Sequence, residues 1–599
     1  MRNLFLILFL FSTLLFSQYY EERTSEQNSE QSDIYFKSHF LNPFGLSGFK
    51  AITAGFIDNP FLNLKINPAD FTIPKGKDLY LYVDFRGDRK EASFDIGYAV
   101  PLDYTGLNNS IYLPDRRWIT VSREEPEPII SLGIILRPIS EVSEKFFVGG
   151  SYQFLRKNES YYDSPYGIYY YRYYNDSFGA ANEIGQGVPV TDRYRGADEM
   201  TNVGHFLSFF TGYEFSDELK AGIGLNGVIH SKEGEYSNSY NGEYGSSDIE
   251  KWESFQSEER AQDYKHIDLS LGVKYSPLST FALGLKGGYL NGKGNQSYSY
   301  FGNNLSARNK PGVSSEWYYY FYDAATSQNW EKKGGTVYGG IDFQKSFKED
   351  KVISGYYLYS SAKIDLTTNS VIRDTSNHNS RWVYNQEWFN YSGYSAVSDI
   401  RSGTGERNIK THEGMVNLKW KLNDNTTLST GIYINNTNTK ITSTEPASVY
   451  RVSSNSSATW QGNYNNYFQS RREEKTLEWE YVSDFTTVQI PVLLNFRLSD
   501  QWELMTGISR IANAWDIEDV TTAYFTKRVK TDLDTSTTEL NFGERYKMPR
   551  QKISEDLVKF LMSLKLNISD EFSARVMFEP EFDPYIRVAQ WWFAIEANL

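Results

Sequence analysis

The chain has six histidines, at His39, His205, His230, His266, His378 and His412. No two are spaced i, i+4, the separation that brings two imidazoles to one helical face for zinc. There are no cysteines, so thiolate metal sites and thiol nucleophiles are absent. A serine hydrolase needs a serine–histidine pair with an orienting third group, and nothing marks such a pair; Gly-rich phosphate motifs are also missing. Glu579, Glu581 and Asp583 alternate with Pro580 and Pro584. Carboxylates can hold a hard cation, but the expectation for such a run is a solvated acidic rim. Arg86-Gly87-Asp88 reads as a turn between strand-like runs. A net charge of −14 argues against nucleic acid, which requires basic patches facing phosphates. The sequence predicts no enzyme, no metal and no cofactor.

The remaining chemistry is aromatic. Of 599 residues, 46 are Tyr, 38 Phe and 13 Trp, and the rings cluster: Tyr161-Tyr162, Tyr169 to Tyr171, Tyr173-Tyr174 and Trp317 to Tyr322. Rings in water-exposed segments gain nothing unless they pack together or meet a ligand. Tyr170, Tyr171, Trp317, Tyr318, Trp330 and Trp388 are the candidates for capturing one.

The elements that must position these residues alternate with period two. Ile267, Leu269, Leu271, Val273 and Tyr275 are interleaved with Asp268, Ser270, Gly272 and Lys274. After the Ser276–Thr280 turn come Phe281, Leu283, Leu285, Gly287 and Tyr289. Strand side chains point to opposite faces in turn, so each hairpin has one apolar face. Similar hairpins turn at 216–218, 423–425 and 499–501. Short turns alternate with long segments at 156–203, 231–264, 291–333, 366–408 and 435–486. A soluble sandwich also alternates, but this rhythm and strands of about ten residues fit a transmembrane antiparallel β-barrel, whose closure satisfies the backbone in lipid.

Sixteen spans are expected, near 92–100, 128–138, 145–155, 204–215, 219–230, 265–275, 281–290, 335–345, 352–364, 412–422, 426–435, 486–498, 502–512, 557–567, 572–581 and 586–598. A seventeenth candidate, Leu79 to Phe85, breaks the even count, so the expected range is 14 to 18. Parity assigns His266, Asp268, Lys274, Lys286, Lys419, Lys421, Asn495, Arg497, Glu503, Arg575 and Glu579 to the lumen face. The final strand carries Ala589, Trp591, Phe593, Ile595, Ala597 and Leu599 on one face, suited to closing against the first.

At the N-terminus, Arg2 precedes an apolar run from Leu4 to Phe11 and a small-residue exit at Ser17-Gln18, which reads as a secretory signal peptide over 1–18. A polar tail follows over 19–33. No second long apolar run exists, and mean hydropathy is −0.53, against a helical membrane bundle. The expected location is the outer membrane of a Gram-negative-type bacterium, with its lipid as the first partner.

Residues 34–77 precede a barrel expected over 78–599. They read Asn42-Pro43-Phe44-Gly45, Gly48 to Phe56, Asp58-Asn59-Pro60, Leu64 and Asn67-Pro68-Ala69. This resembles the N-terminal signature of FadL/TodX-type outer-membrane transport proteins, over about thirty residues; the rest agrees in architecture. The usual Met-Gly-Gly-Ala core is replaced by Ile52-Thr53-Ala54-Gly55, and Asp70 follows the Asn-Pro-Ala. The resemblance implies a hatch inside the barrel, marked by Asn42, Pro43, Phe44, Gly48, Gly55, Asn67, Pro68 and Ala69, and passive uptake of hydrophobic or aromatic small molecules. The family also includes relatives that transport nothing, so a barrel scaffolding protein secretion or surface attachment is the alternative. Independently, glycines that permit close backbone approach and interrupting prolines suit an irregular plug, tolerated at membrane depth only inside protein.

Overall fold

The computed structural model describes residues 35–39, 41, 59–71, 77–88, 98–99, 118–119, 129–137, 145–161, 169–172, 191–194, 198–244, 249–310, 314–347, 350–547, 550–582 and 586–599. The expected signal peptide, the tail, and the hatch residues Asn42, Pro43, Phe44, Gly48 and Gly55 lie outside them. One helix is described, α1 (Pro60–Ile66).

The strands are, in chain order, β1 (Leu79–Asp88), β2 (Tyr98–Ala99), β3 (Trp118–Ile119), β4 (Ile130–Leu136), β5 (Phe146–Tyr161), β6 (Tyr169–Arg172) and β7 (Thr191–Tyr194). Next come β8 (Asp198–Ser216), β9 (Leu219–Tyr244), β10 (Ile249–Leu278), β11 (Phe281–Lys310), β12 (Ser314–Phe347), β13 (Lys351–Tyr384) and β14 (Glu387–Asn423). The last are β15 (Thr426–Thr459), β16 (Tyr464–Arg497), β17 (Trp502–Asp532), β18 (Ser536–Lys547), β19 (Gln551–Asn567), β20 (Phe572–Phe582) and β21 (Ile586–Asn598).

Sixteen of them close an antiparallel ring: β1, β4, β5, β8 to β17, β19, β20, β21 and back to β1. β18 rides on the distal part of β17, from Val520–Lys547 to Thr531–Ser536, and β19 pairs with the proximal part. The ring shuts where Leu79 and Leu599 exchange backbone hydrogen bonds of 3.0 and 2.8 Å.

The count of sixteen stands, but its first member is corrected. Leu79–Asp88, the surplus candidate, is the first barrel strand, pairing with β21 on one edge and β4 on the other. Of the 92–100 span only Tyr98–Ala99 is described, and it pairs with Trp118–Ile119 rather than with a ring strand. Both stretches alternate, and only register separates them. Arg86-Gly87-Asp88 is likewise ladder, opposite Trp592, Trp591 and Gln590, rather than a turn.

Burial runs opposite to that of a water-soluble protein. Ile267, Leu269, Leu271 and Val273 are 66, 48, 55 and 43% exposed, whereas His266, Asp268 and Ser270 between them are buried. The same reversal holds for Leu207, Phe209, Ile223, Leu225, Ile341, Val416, Ile432 and Ile490. A ring of outward apolar side chains around a closed sheet is a surface for hydrocarbon, not water.

The long segments between spans are not irregular. β12 to β16 run 34 to 37 residues each, about 110–120 Å at 3.3 Å per residue, where crossing a bilayer takes about ten. The ladders continue past the membrane as a stem. Residues 362–370 of β13 still alternate buried and exposed, the pattern of a sheet with one covered face. At the far end Asn385 and Gln386 both hold positive φ, 48° and 72°, the geometry of a two-residue hairpin that follows strand twist.

Candidate functional site: the N-terminal segment inside the barrel

Asn59 starts α1 as its N-cap: its side-chain oxygen accepts from Phe61 N at 2.9 Å, and Pro60 occupies the first turn, where no N–H is needed. The helix is buried inside the ring, with Phe61, Leu62 and Leu64 among Tyr80, Tyr82, Ile135, Phe147 and Phe210 of the wall. It ends at Asn67, and Asn67-Pro68-Ala69 then lies against β8 to β11.

That stretch of wall is paved with glycine. Gly212, Gly222 and Gly272 are directly opposed across β8, β9 and β10, all on the inward parity. A Cβ on Gly222 would stand 2.0 Å from the Pro68 carbonyl oxygen, and one on Gly272 would stand 2.1 Å from Asn67 Oδ1. Over the pavement, Asn67 Nδ2 donates to Asp342 Oδ2 at 2.8 Å and lies 3.3 Å from the carbonyls of Val273 and Leu285. Its Oδ1 accepts from Ala69 N at 3.0 Å. Lys274 pairs with Asp70, and Lys286 donates to the Lys65 carbonyl at 2.9 Å. Asp70 thus has a cation built for it in the wall.

A second contact sits higher. Phe36 has φ of 59°, a left-handed backbone that costs a bulky residue about 1–2 kcal/mol. Two bonds hold it there: Phe36 N donates to the Tyr264 hydroxyl, and Thr336 Oγ1 donates to the Phe36 carbonyl, each at 2.6 Å. Tyr35 lies 3.1 Å from His230 Nδ1 and packs on the Tyr264 ring. Below, buried Asp268 accepts from Ser38, from Asn226 Nδ2 at 2.9 Å and from the Tyr338 hydroxyl at 2.7 Å. Polar groups inside a barrel need such partners, because an unsatisfied one costs about 1–3 kcal/mol.

Around the second contact lies an apolar layer. Tyr35 and Phe36 belong to a buried layer with Phe206, Val228, Leu366, Ile441, Trp479 and Ile517, contributed from around the ring. On β16 the inward positions read Leu477, Trp479 and Tyr481, then the polar Ser483, Thr487 and Gln489, then Leu493; on β17 the buried inward residues include Phe525, Ala523, Ile517, Ile511, the polar Ser509 and Met505.

The sequence candidates fall in several places. His266, Asp268, Lys274 and Lys286 gather at the dock. Lys419, Asn495, Glu503 and Arg575 are half-buried elsewhere in the wall. Lys421 and Arg497, assigned inward by parity, are exposed at the short-turn rim, bound to Asp424 and Asp500, because the last residues of a strand can swing outward. Glu579 is not part of a solvated rim: it is buried and pairs with Lys559 at 2.6 Å; Asp583 lies outside the described residues. That pair spans a seam. The β19–β20 ladder runs only from Met562–Phe578 to Asn567–Ser573, and on the other edge of β20 the β20–β21 ladder is bulged at Glu579/Pro580.

Of the ligand-capture candidates, Trp317 is exposed near the distal tip, with Tyr318 and Trp388 half-buried there. Trp330 is buried, its ring on the inward parity of β12. Tyr170 and Tyr171 lie in the small β6–β7 ladder. The glycine pavement, Asn226, Tyr338 and Asp342 were not singled out from sequence; glycine recurring at inward parity on adjacent strands was the available signal.

Above the layer, beyond the membrane, the stem interior holds buried charges. Glu473 binds Lys475 Nζ at 3.0 Å and Arg528 Nε at 2.9 Å, and Arg401 Nε donates to Asp399 Oδ1 at 2.8 Å. Burial pushes the Glu445 carboxyl up to about 7, against the pull of Arg401 and with Asp399 adding to the rise. The folded stem therefore keeps a proton that the unfolded chain sheds near 4.5. Stability falls as pH rises between those values, and the full cost remains above them. Limited proteolysis of the stem is expected to be several-fold slower at pH 5.5 than at pH 8, and Glu445→Gln is expected to flatten that difference.

No protein-family model matches the chain, and no curated protein matches it. Among solved structures, a FadL homologue from Pseudomonas aeruginosa is 10% identical, with 94% of this chain and 99% of that one covered and a TM-score of 0.33. The CymD monoaromatic hydrocarbon channel is 9% identical over 94% and 98%, TM-score 0.32. The Ralstonia pickettii toluene transporter TbuX is 10% identical over 92% and 97%, TM-score 0.30. At 9–10% identity and TM-scores of 0.30 to 0.33, the likeness to these three solved structures is slight.

Proposed function

We propose that this barrel admits an apolar or aromatic small molecule across the outer membrane of a Gram-negative-type cell, with the N-terminal segment as its hatch and no covalent chemistry. The observation that carries this reading is the succession of buried apolar clusters on the inner wall, from Leu477 and Phe525 in the stem through the Tyr35–Phe36 layer to the residues around α1, with Ser483, Thr487, Gln489 and Ser509 between them. A water-filled channel gains nothing from such a lining, whereas an apolar solute does. The tip aromatics are the first surface it meets. The β19–β20 seam, bridged by Lys559–Glu579, is a place where the wall can give way.

A second reading, a non-transporting scaffold, draws support from the buried ion cluster in the stem. Flux separates the two. In proteoliposomes, Ile441→Lys sets a charge in the apolar layer and is expected to lower entry of an apolar fluorescent probe at least tenfold, while Ile441→Leu is expected to keep it. Equal flux through both variants, with heat-modifiable gel migration showing intact barrels, counts for the scaffold.

A further inference from the structure

The outward face of six consecutive strands meets its first charge beyond the apolar band at one height and with one sign. On β10 it is Lys265, on β11 Lys293, on β12 Lys333, on β13 Lys363, on β14 Lys410 and on β15 Lys440. Each stands twelve to fourteen residues from the short turn of its strand. All six are exposed. Lys265, Lys293 and Lys333 are directly opposed in the ladder, a like-charge arrangement that disfavours the sheet and that Asp365, opposite Lys333, and Glu331, paired with Lys293, answer in part.

Acidic neighbours exist: Asp365 directly opposes Lys333 at the end of the row, and the others lie on the solvent side. Asp263 and Glu331 are one outward position farther from the membrane than Lys265 and Lys333, and Asp365 and Glu406 are farther than Lys363 and Lys410. Glu331 takes Lys293 at 2.7 Å, Glu406 takes Lys363 at 2.6 Å and Glu480 takes Lys440 at 3.1 Å. The lysines form the first charged layer beyond hydrocarbon, one outward position past Ile267 and two past Tyr289 and Val337 of the apolar band. The opposite side differs: β16 meets Asp484 first, and on β17 and β19 Arg510 and Asp556 bind each other.

We propose that this belt, on the β10–β15 side only, binds the phosphate-bearing headgroups of lipids in the outer leaflet. Opposed residues on neighbouring strands sit about 5 Å apart, so the Lys265–Lys293–Lys333 row matches a headgroup with two phosphates, or two headgroups side by side. Lysine suits this position because its stem lies along apolar surface while the ammonium reaches the interface. Attraction of this kind is local and salt-sensitive.

The test uses the full chain in detergent, exposed to a phosphorylated glycolipid or to its dephosphorylated form, with bound lipid counted by native mass spectrometry. Wild type is expected to retain the phosphorylated lipid at least tenfold better than the dephosphorylated one. The Lys265→Gln/Lys293→Gln/Lys333→Gln variant is expected to lose that preference, and Lys552→Gln, an exposed lysine on the other side, is expected to keep it. Retention by the triple variant equal to wild type overturns the proposal. So does displacement of the lipid by equimolar inorganic phosphate, which marks a free-anion site. These positions are exposed, so gel migration of the folded barrel serves as the fold control.

Discussion

Gly222→Val is expected to unseat the hatch and leave the barrel standing. A valine Cβ would sit 2.0 Å from the Pro68 oxygen and 2.5 Å from its carbonyl carbon, so the obstruction is backbone, not the end of a flexible side chain. Overpacking costs about 1–3 kcal/mol even where side chains can yield. The same displacement pulls Asn67 from Asp342 and strands a buried carboxylate, a further loss of about 1–3 kcal/mol. With the hatch off its wall, entry of small hydrophilic solutes should rise by an order of magnitude or more, read as single-channel conductance or as swelling of proteoliposomes. Gly227→Ala is the matched control on the same strand: its added Cβ meets nothing nearer than 3.9 Å, and conductance should not change. Equal conductance in the two variants would mean that the Asn-Pro-Ala contact does not hold the hatch.

The second large effect belongs to the stem. Glu473→Ala removes the carboxylate between Lys475 and Arg528, whose side chains are 0 and 5% exposed. Breaking a buried pair from one side costs about 3–5 kcal/mol, because the remaining charge stays out of water. Arg528 keeps Glu544 at 2.8 Å and its contact with the Phe525 ring at 3.9 Å; Lys475 loses this carboxylate and keeps its place over the Phe525 ring at 5.5 Å. Opening should be local, since stability is not uniform along such ladders. Amide exchange over 520–547 is expected to accelerate about a hundredfold or more, at about 1.4 kcal/mol per factor of ten. Exchange over 502–517, inside the ring, should hold. Uniform acceleration along β17 would show that stem and barrel unfold as one unit.

Much of the fold was legible because hydrocarbon imposes a strict period. Leu269 and Leu271 had to face one way and Asp268 and Ser270 the other, and a closed ring was the remaining way to satisfy the backbone. The stem was harder to see. Segments such as 366–408 carry Ser, Thr, Asn and Tyr rather than Leu and Ile, so their alternation is one of size and burial, not of polarity. The ends of the ring were ambiguous for a different reason: Leu79 to Phe85 and Ala92 to Val100 alternate equally well, and pairing with Trp591 and Phe593 is a long-range fact. Parity placed Asp268 and Lys274 on the inward face but could not show that Ser38 and Asp70 meet them, because those partners lie about 200 residues away. It failed at Lys421 and Arg497, where the strand ends and a side chain is free to turn outward.

The central claim is that the N-terminal segment is a hatch whose movement admits the solute. The chain has no cysteine, so Asp70→Cys/Lys274→Cys places two thiols where the wall already holds the hatch, with no background. The decisive measurement is the flux of an apolar probe into proteoliposomes before and after the two thiols are bridged by a short bis-methanethiosulfonate, and again after reduction. The account predicts that flux stops on bridging and returns on reduction. Flux that continues unchanged through a fully bridged barrel would contradict it.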